Sequence, residues 1–362
     1  KQINVKNYEK YIKIAKNQGA ELIVFPELAL EQSLNEYEII KNNTNPYKYL
    51  IKNCLFKGLF NIEKCIKSYI NINKIKNQYY LSYYANKYNI YIVVDMIEKG
   101  EFCQKVELNQ DYCKNGYITY NTAIVFNRKG KIISKYRKKN IYAINLFKSS
   151  NNNTPIYFNT DYGVRYGLFI CFDILFNNPT LNLVKDLGIK DIIFPTWWVD
   201  LKSGFTALPI QQGFSTSFNI NLYAANIIYP YVDASSGSGI YSSGKTLNIT
   251  TQDKSIVLTS YPNQVLTNRL FNNNMTIRSF LPPFKFEKND WIIKKINSND
   301  LITNIFNINN ITCKVSYKIK DNYINSNEYF KIGLGYNLQI STLGFEQCGI
   351  YNCGDDSECL EE

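Results

Sequence analysis

Hydrophobic and polar positions alternate along this chain in two periods, and the first 250 residues switch between them in a repeating order. Val5, Tyr8, Ile12 and Ala15 recur at helical spacing, and Gly19 is placed as a C-terminal stop. An unbroken apolar run, Leu22 to Phe25, then predicts a buried strand ended by Pro26 and followed by Glu27. Residues 36–75 read as a polar insertion. Gln78 to Tyr88 predicts a second helix and Ile90 to Asp95 a second buried strand. Ile118 to Phe126 and Lys131 to Tyr136 predict two strands around Asn127, Arg128, Lys129 and Gly130, a hairpin signal. Tyr166 to Ile170 is a further strand, delivering Cys171 to its C-terminal end. A helix over Leu181 to Leu187 follows, then a strand from Asp191 to Phe194 broken by Pro195, a helix over Ile210 to Phe218, and a strand through Leu222 to Ala225.

Beyond about residue 265 the texture changes to short β-like runs rich in Asn and Ser, with cysteines gathered near the end. The expected organisation is an α/β domain over 1–265 and a β-rich, cysteine-containing domain over 266–362, a division the length of 362 residues accommodates.

Charge and composition narrow the chemistry. The formal net charge of +11 invites a nucleic-acid reading, but the lysines are scattered and the densest cluster, Lys135, Arg137, Lys138 and Lys139, is short and carries no nucleic-acid-binding signature. The expectation is no nucleic-acid partner, and no apolar run approaches a membrane span. The chain contains no histidine. That excludes a Ser-His-Asp triad, a Cys-His pair and every histidine-containing zinc site, so a general base must be a carboxylate, lysine, tyrosine, cysteine or water.

Eight of the nine cysteines fall into local groups: Cys54 with Cys65, Cys103 with Cys113, and Cys313, Cys348, Cys353 and Cys359 toward the C-terminus. Pairs of this kind bounded by polar loops predict disulfides and an oxidising compartment, and the late cysteines lack paired zinc-ligand spacing. No metal or cofactor is expected. Cys171 is left over as a free thiol. Sequons at Asn42, Asn152, Asn248, Asn274 and Asn310 are candidate glycosylation sites compatible with secretion. The chain opens without a signal peptide, which fits a processed or incomplete N-terminus.

Three reactive side chains share one context: Glu27, Lys138 and Cys171 each sit just past the C-terminal end of a predicted strand, the edge where open α/β sheets place their chemistry. Carboxylate, ammonium and thiol make a complete set without histidine. Glu27 can deprotonate the thiol and later a water, Lys138 can stabilise an oxyanion and favour the thiolate, and Cys171 can attack a carbonyl carbon.

The set resembles the nitrilase superfamily of C–N hydrolases. Phe25-Pro26-Glu27 matches the family's glutamate motif, Tyr136-Arg137-Lys138 its lysine motif and Cys171-Phe172-Asp173 its cysteine motif. The resemblance is closer still to the vanin (pantetheinase) and biotinidase branch. It runs through Tyr120-Asn121-Thr122, the stretch from Gly167 to Phe176, the stretch from Phe194 through Trp197 and Trp198 to Asp200, Ala224-Ala225-Asn226 and the stretch from Gly237 to Tyr241. It implies an α-β-β-α sandwich with a C-terminal base domain, and a linear small-molecule amide cleaved through a Cys171 thioester. It further implies Phe172 as a second oxyanion donor, Trp197 and Trp198 in the pocket, and an extracellular or secretory/lysosomal location, with a removed surface anchor as one form of it. Pantetheine-type amides are the first substrate implied and biotinyl amides the alternative.

This chain also departs from the branch. The family's first strand has no counterpart before Val5, branch histidines are replaced (Arg137 among the replacements), and no acid lies between Lys138 and Asp161 to serve as a second glutamate. These departures define the other reading, a catalytically silent structural or binding glycoprotein on the same fold.

Overall fold

The computed structural model describes residues 5–30, 44–46, 48, 52, 76–142, 145–198, 206–227, 237–251 and 255–260, and the strands 291–295, 302–308, 311–317, 330–340 and 343–352. Two units emerge: one comprises Lys1–Val199 with Ala207–Ile277, the other Asp200–Thr206 with Arg278–Glu362.

The first unit is built on two sheets. The four-stranded sheet runs in the order β1 (Leu22–Val24), β2 (Tyr91–Phe102), β3 (Tyr117–Phe126), β4 (Ile132–Arg137). β1 is parallel to β2, and β2 to β4 form an antiparallel meander. Helices α1 (Val5–Asn17) and α2 (Lys76–Lys87) cover one face of it. The α1 stripe of Val5, Tyr8, Ile12 and Ala15 is buried, Tyr8 stacks on Phe25 at 3.9 Å, and Ile92, Val94 and Met96 of β2 meet these helices. Each of the large side chains so buried contributes about 1.5–3 kcal/mol. Because strand side chains alternate, Val93, Asp95 and Ile97 face the interior between the sheets.

Gly19 follows α1 at φ +80°, as expected of a helix stop. The Asn127–Gly130 turn packs on α2: the Ser82 hydroxyl donates to the Gly130 carbonyl at 2.5 Å, and a side chain at Gly130 would meet the Ser82 carbonyl at 2.4 Å.

The six-stranded sheet has the order β10 (Lys245–Thr250), β9 (Ser238–Ser242), β8 (Asn221–Asn226), β7 (Asp191–Thr196), β6 (Arg165–Leu168), β5 (Tyr157–Asn159). Its centre, β6 to β8, is parallel, and its flanks are antiparallel. Helix α3 (Ala207–Phe218) packs through Phe214 on Phe169, which also meets Phe194. Gly167 lets Ile192, Leu183 and Ile189 close over β6. The result is the α/β, α-β-β-α arrangement expected.

Local expectations needed correction at several points, the first being β2, which runs past Asp95 to Phe102. β7 does not break at Pro195 but continues to Thr196. β6 pairs with β7 only as far as Ile193, so the end of β7 is hydrogen-bonded on the β8 side alone, where a residue without an N–H is tolerated. β6 itself ends at Leu168, two residues short of Ile170, since Asp173 takes the Ile170 N–H. The helix over Leu181 to Leu187 starts earlier, at Asn177, and has π-type turns to Asp186.

In the second unit, β11 (Trp291–Lys295), β14 (Phe330–Ile340) and β15 (Leu343–Asn352) form an antiparallel sheet, and β12 (Ile302–Ile308) pairs with β13 (Ile311–Tyr317). Cys313 lies on β13 opposite Phe306, and Cys348 on β15 opposite Leu334.

Candidate active site

The three strand ends named from sequence meet in the interior of the first unit. The chain leaves β1, pairs once more through the Phe25 N–H to the Val93 carbonyl, and turns at Pro26, so that Glu27 enters the space between the sheets. There its own N–H reaches the Thr196 carbonyl at the end of β7. β4 runs directly into Lys138, whose N–H continues the ladder to the Asn121 carbonyl at 2.8 Å. Strand alternation turns neighbouring Arg137 to the opposite face, where it pairs with Glu98 at 2.8 Å and stacks over Tyr120.

Glu27 is held by three donors. Lys138 Nζ lies 2.7 Å from its Oε1, the Asn121 amide donates to the same oxygen at 2.7 Å, and the Trp197 N–H donates to Oε2 at 2.8 Å. Burial works against the Lys138 charge, but Glu27, Cys171 and Asp173 outweigh it and hold the ammonium above its ordinary value. The pair is therefore a buried ion pair with hydrogen bonds on both carboxylate oxygens, the condition under which such a pair repays its desolvation.

Cys171 is a free thiol, buried, at φ +46°. A left-handed residue other than glycine persists only where its surroundings fix it. Asp173 supplies that fixation. Its Oδ2 accepts the Ile170 N–H at 3.1 Å and the Tyr136 hydroxyl at 2.7 Å, and its Oδ1 accepts the Asn140 N–H at 2.9 Å and the Asn140 side-chain amide at 2.8 Å. Burial pushes the Asp173 carboxyl upward, against the pull of Lys138 and these donors.

The Cys171 sulfur donates to the Trp197 carbonyl at 3.5 Å. Burial first and the Glu27 charge second push the thiol up to about 12, with Lys138 and the Thr196 hydroxyl opposing. At neutral pH the thiol thus keeps its proton until a base removes it.

Of the other expected pocket residues, Phe172 is buried against Tyr142 and Phe176 at 5.0 and 5.1 Å. Trp197, a residue 37% exposed, contributes through its backbone, which spans Glu27 and Cys171. Trp198 is buried and its N–H donates to Asn226 Oδ1. Asn121, Tyr136 and Asp173 carry the site's hydrogen bonds yet were assigned no role from sequence. All three lie inside the matched motifs; Tyr136 and Asp173 stand two residues from Lys138 and Cys171, whereas Asn121 reaches the site only through the pairing of β3 with β4.

Cys103 and Cys113 form a disulfide. Cys54, Cys65, Cys353 and Cys359 lie outside the described residues, as do Asn42, Asn274 and Asn310. Asn152 is exposed, whereas Asn248 is half-buried on β10 and donates its amide to the Thr259 carbonyl at 2.8 Å. Among the described residues no cluster of potential metal ligands and no helix long and apolar enough to cross a membrane occurs.

The carbon-nitrogen hydrolase family profile matches residues 1–200, more than half of the chain. Pantetheinase from Bos taurus is 28% identical over 309 residues, 77% of this chain and 58% of that protein. Biotinidase from Mus musculus is 29% identical over 240 residues, 66% of this chain and 44% of that protein. Vanin-like protein 1 from Drosophila melanogaster is 37% identical over 180 residues, 48% and 31% respectively. The chain therefore spans between about a third and three-fifths of the length of these relatives. Among solved structures, an amidase from Nesterenkonia sp. superposes with a TM-score of 0.48 at 16% identity, covering 69% of this chain and 81% of that one. By the matched profile the chain belongs to the carbon–nitrogen hydrolase (nitrilase) family, and its similarity to pantetheinase, biotinidase and vanin-like protein 1 supports the vanin and biotinidase branch.

Proposed function

We propose that this chain is a thiol amidohydrolase in which Glu27, Lys138 and Cys171 cleave a linear carboxamide. The observation that carries the reading is the Glu27–Lys138 contact at 2.7 Å, formed beside a free, buried Cys171 whose thiol is shifted by both charges. As substrate enters, Glu27 takes the thiol proton and the sulfur attacks the carbonyl carbon. The oxyanion that forms is met by the Lys138 ammonium and the Phe172 N–H. Collapse expels the amine, which leaves with the proton held by Glu27, and a thioester remains on Cys171. Glu27 then deprotonates a water, whose attack releases the carboxylic acid and restores the thiol.

A thiol that stays protonated at rest suits this order of events, since Glu27, a buried carboxylate whose charge acts on Cys171, is there to accept the proton. A pantetheine-type amide, yielding cysteamine and pantothenate, is the first substrate, with biotinyl amides as the alternative. The similarity to pantetheinase and biotinidase supports both. The silent reading finds no support in the site, because Cys171 is unbridged and lies under the influence of both partners. The Cys103–Cys113 disulfide supports an extracellular or lumenal location, and the strands of the second unit support residues 266–362 as a β-rich base domain.

Incubating the protein with pantetheine and with a biotinyl amide tests the reading. Amine release by wild type that is abolished in Cys171→Ala is the expected result. No release from either amide, or equal release by Cys171→Ala, overturns it.

A further inference from the structure

A second carboxyl lies under the Glu27 turn and takes no part in the steps above. Asp95, on β2, is 1% exposed and faces the interior between the sheets. Its Oδ1 accepts the Leu28 N–H at 3.1 Å, and its Oδ2 is buried with no hydrogen-bond partner among the described residues. Leu28 sits at φ +50°, so the turn that follows Pro26 is a left-handed one that a leucine does not hold unaided. Besides the Glu27 N–H to the Thr196 carbonyl at 3.4 Å and the Ala29 N–H to the Pro26 carbonyl at 3.5 Å, the turn is fastened by this bond to the Asp95 side chain, directly behind Glu27.

The charged and titratable groups facing Asp95 come from three other elements. Glu27 approaches from the turn after β1, Lys138 from the end of β4, and Asp173 from the turn after β6. Tyr136 occupies the position two strands across, through Ala123. On β2 itself, Glu98 turns to the opposite face and is engaged by Lys135 and Arg137.

We propose that Asp95 is a positioning residue for the general base: its side chain fastens the left-handed turn that delivers Glu27 to Lys138 and Cys171. It does so as a neutral acid. Burial, and after it the charge of Glu27, push the Asp95 carboxyl well above the ordinary range, more than the Leu28 N–H and Lys138 restore. Glu27, Asp95 and Asp173 thus face one ammonium, and Asp95 keeps its proton, so that it adds no charge to the Glu27–Lys138 pair. An ionised Asp95 would add a second negative charge beside Glu27 and compete with it for Lys138. The kinetic part of the inference rests on the amidohydrolase reading, whereas the thiol part rests on geometry alone.

Asp95→Asn keeps an uncharged acceptor for the Leu28 N–H, and Asp95→Ala removes it. Three readouts test the pair against wild type: kcat and KM for amine release, the rate of Cys171 alkylation by iodoacetamide followed on its peptide, and thermal melting to establish that each variant is folded. Asp95→Ala is expected to lose about 10- to 100-fold in kcat, the order expected when a reacting group is misplaced by an ångström or less, with KM within about twofold. Its Cys171 is expected to alkylate about tenfold more slowly at pH 7, because the thiol's proton acceptor is displaced. Asp95→Asn is expected within about threefold of wild type on both measures.

Wild-type kcat and alkylation in a folded Asp95→Ala overturn the inference, as does an Asp95→Asn variant as impaired as Asp95→Ala. Should Asp95→Ala not fold, a folded Asp95→Asn that loses tenfold or more in both kcat and Cys171 alkylation, despite keeping the acceptor for the Leu28 N–H, overturns it. If wild type releases no amine from either amide, the amidohydrolase reading fails, and the alkylation rates alone decide the role of Asp95.

Discussion

Lys138 Nζ sits 2.7 Å from Glu27 Oε1, with both side chains 5% exposed. The two residues are 111 positions apart and come from opposite edges of the four-stranded sheet, so the contact exists only once β1 to β4 are assembled. Removing one partner strands the other as a buried charge.

For that reason Lys138→Met is expected to cost about 3–5 kcal/mol in unfolding free energy, the range found when a buried pair loses one member. Denaturant unfolding measures it, and a loss under 1 kcal/mol would show that the pair is not coupled to the fold. Glu27→Gln keeps the shape and one acceptor, so its stability loss should be smaller, while amine release should fall about 10²- to 10⁴-fold as general-base catalysis is removed.

Cys171 offers a test by pH. Its thiol is pushed up to about 12 in the folded protein from a usual 9.0. Alkylation at pH 7 should be slow and should climb through the alkaline range, and Lys138→Met should slow it further because Lys138 favours the thiolate. The linkage has a definite sign. A raised folded-state value gives a stabilising contribution that is present below about pH 9 and is lost as pH rises toward 12. Cys171→Ala should therefore lose less stability than wild type over that window. Rapid alkylation at pH 7 would contradict the assignment.

Asp173 is the brace of the cysteine turn. Asp173→Ala leaves the Ile170 and Asn140 N–H groups and the Tyr136 hydroxyl without their shared acceptor, and a loss of about 3 kcal/mol is expected. Tyr136→Phe removes one of these bonds and should cost about 1 kcal/mol. Thermal or denaturant melts compare the two, and the reverse order of effects would refute the bracing role.

Acid stability should depend on Glu98. Burial pushes its carboxyl up, but Arg137 and Lys135 outweigh burial and hold it below its usual 4.5. Its contribution is then present above about pH 4.5 and is lost as pH falls through the lower folded-state value. Glu98→Gln should be less stable than wild type at pH 7 by about 1.5–3 kcal/mol, and the gap should close in acid. A gap that persists unchanged at pH 3 would show that packing, not charge, is responsible.

The Cys103–Cys113 bridge closes a loop of sequence separation 10. Loop-closure entropy for so short a loop predicts roughly 2–3 kcal/mol of stabilisation. A Cys103→Ser/Cys113→Ser double variant measured by denaturant unfolding checks it, and an unchanged midpoint would mean the loop is ordered without the bond.

Hydrophobic periodicity located α1, α2, α3 and the strands β1 to β4 and β6 to β8 of the first unit, because burial selects side chains at fixed spacing. It misjudged Pro195, since whether a proline breaks a strand depends on which neighbour that strand lacks. It also gave the end of β6 two residues too far along, because the bond that ends it comes from a side chain, Asp173, that no periodicity reports.

By itself the sequence determined the chemical inventory: a carboxylate, an amine and a thiol at three strand ends, no histidine to stand in for any of them, and the motifs that mark the family. Tertiary structure decided the rest. It set which oxygen of Glu27 faces Lys138, made the Trp197 backbone rather than its ring the link between Glu27 and Cys171, and buried Asp95 beside them. Those outcomes depend on strand register and on the exclusion of water, and both are properties of residues far apart in the chain brought to one low-dielectric interior.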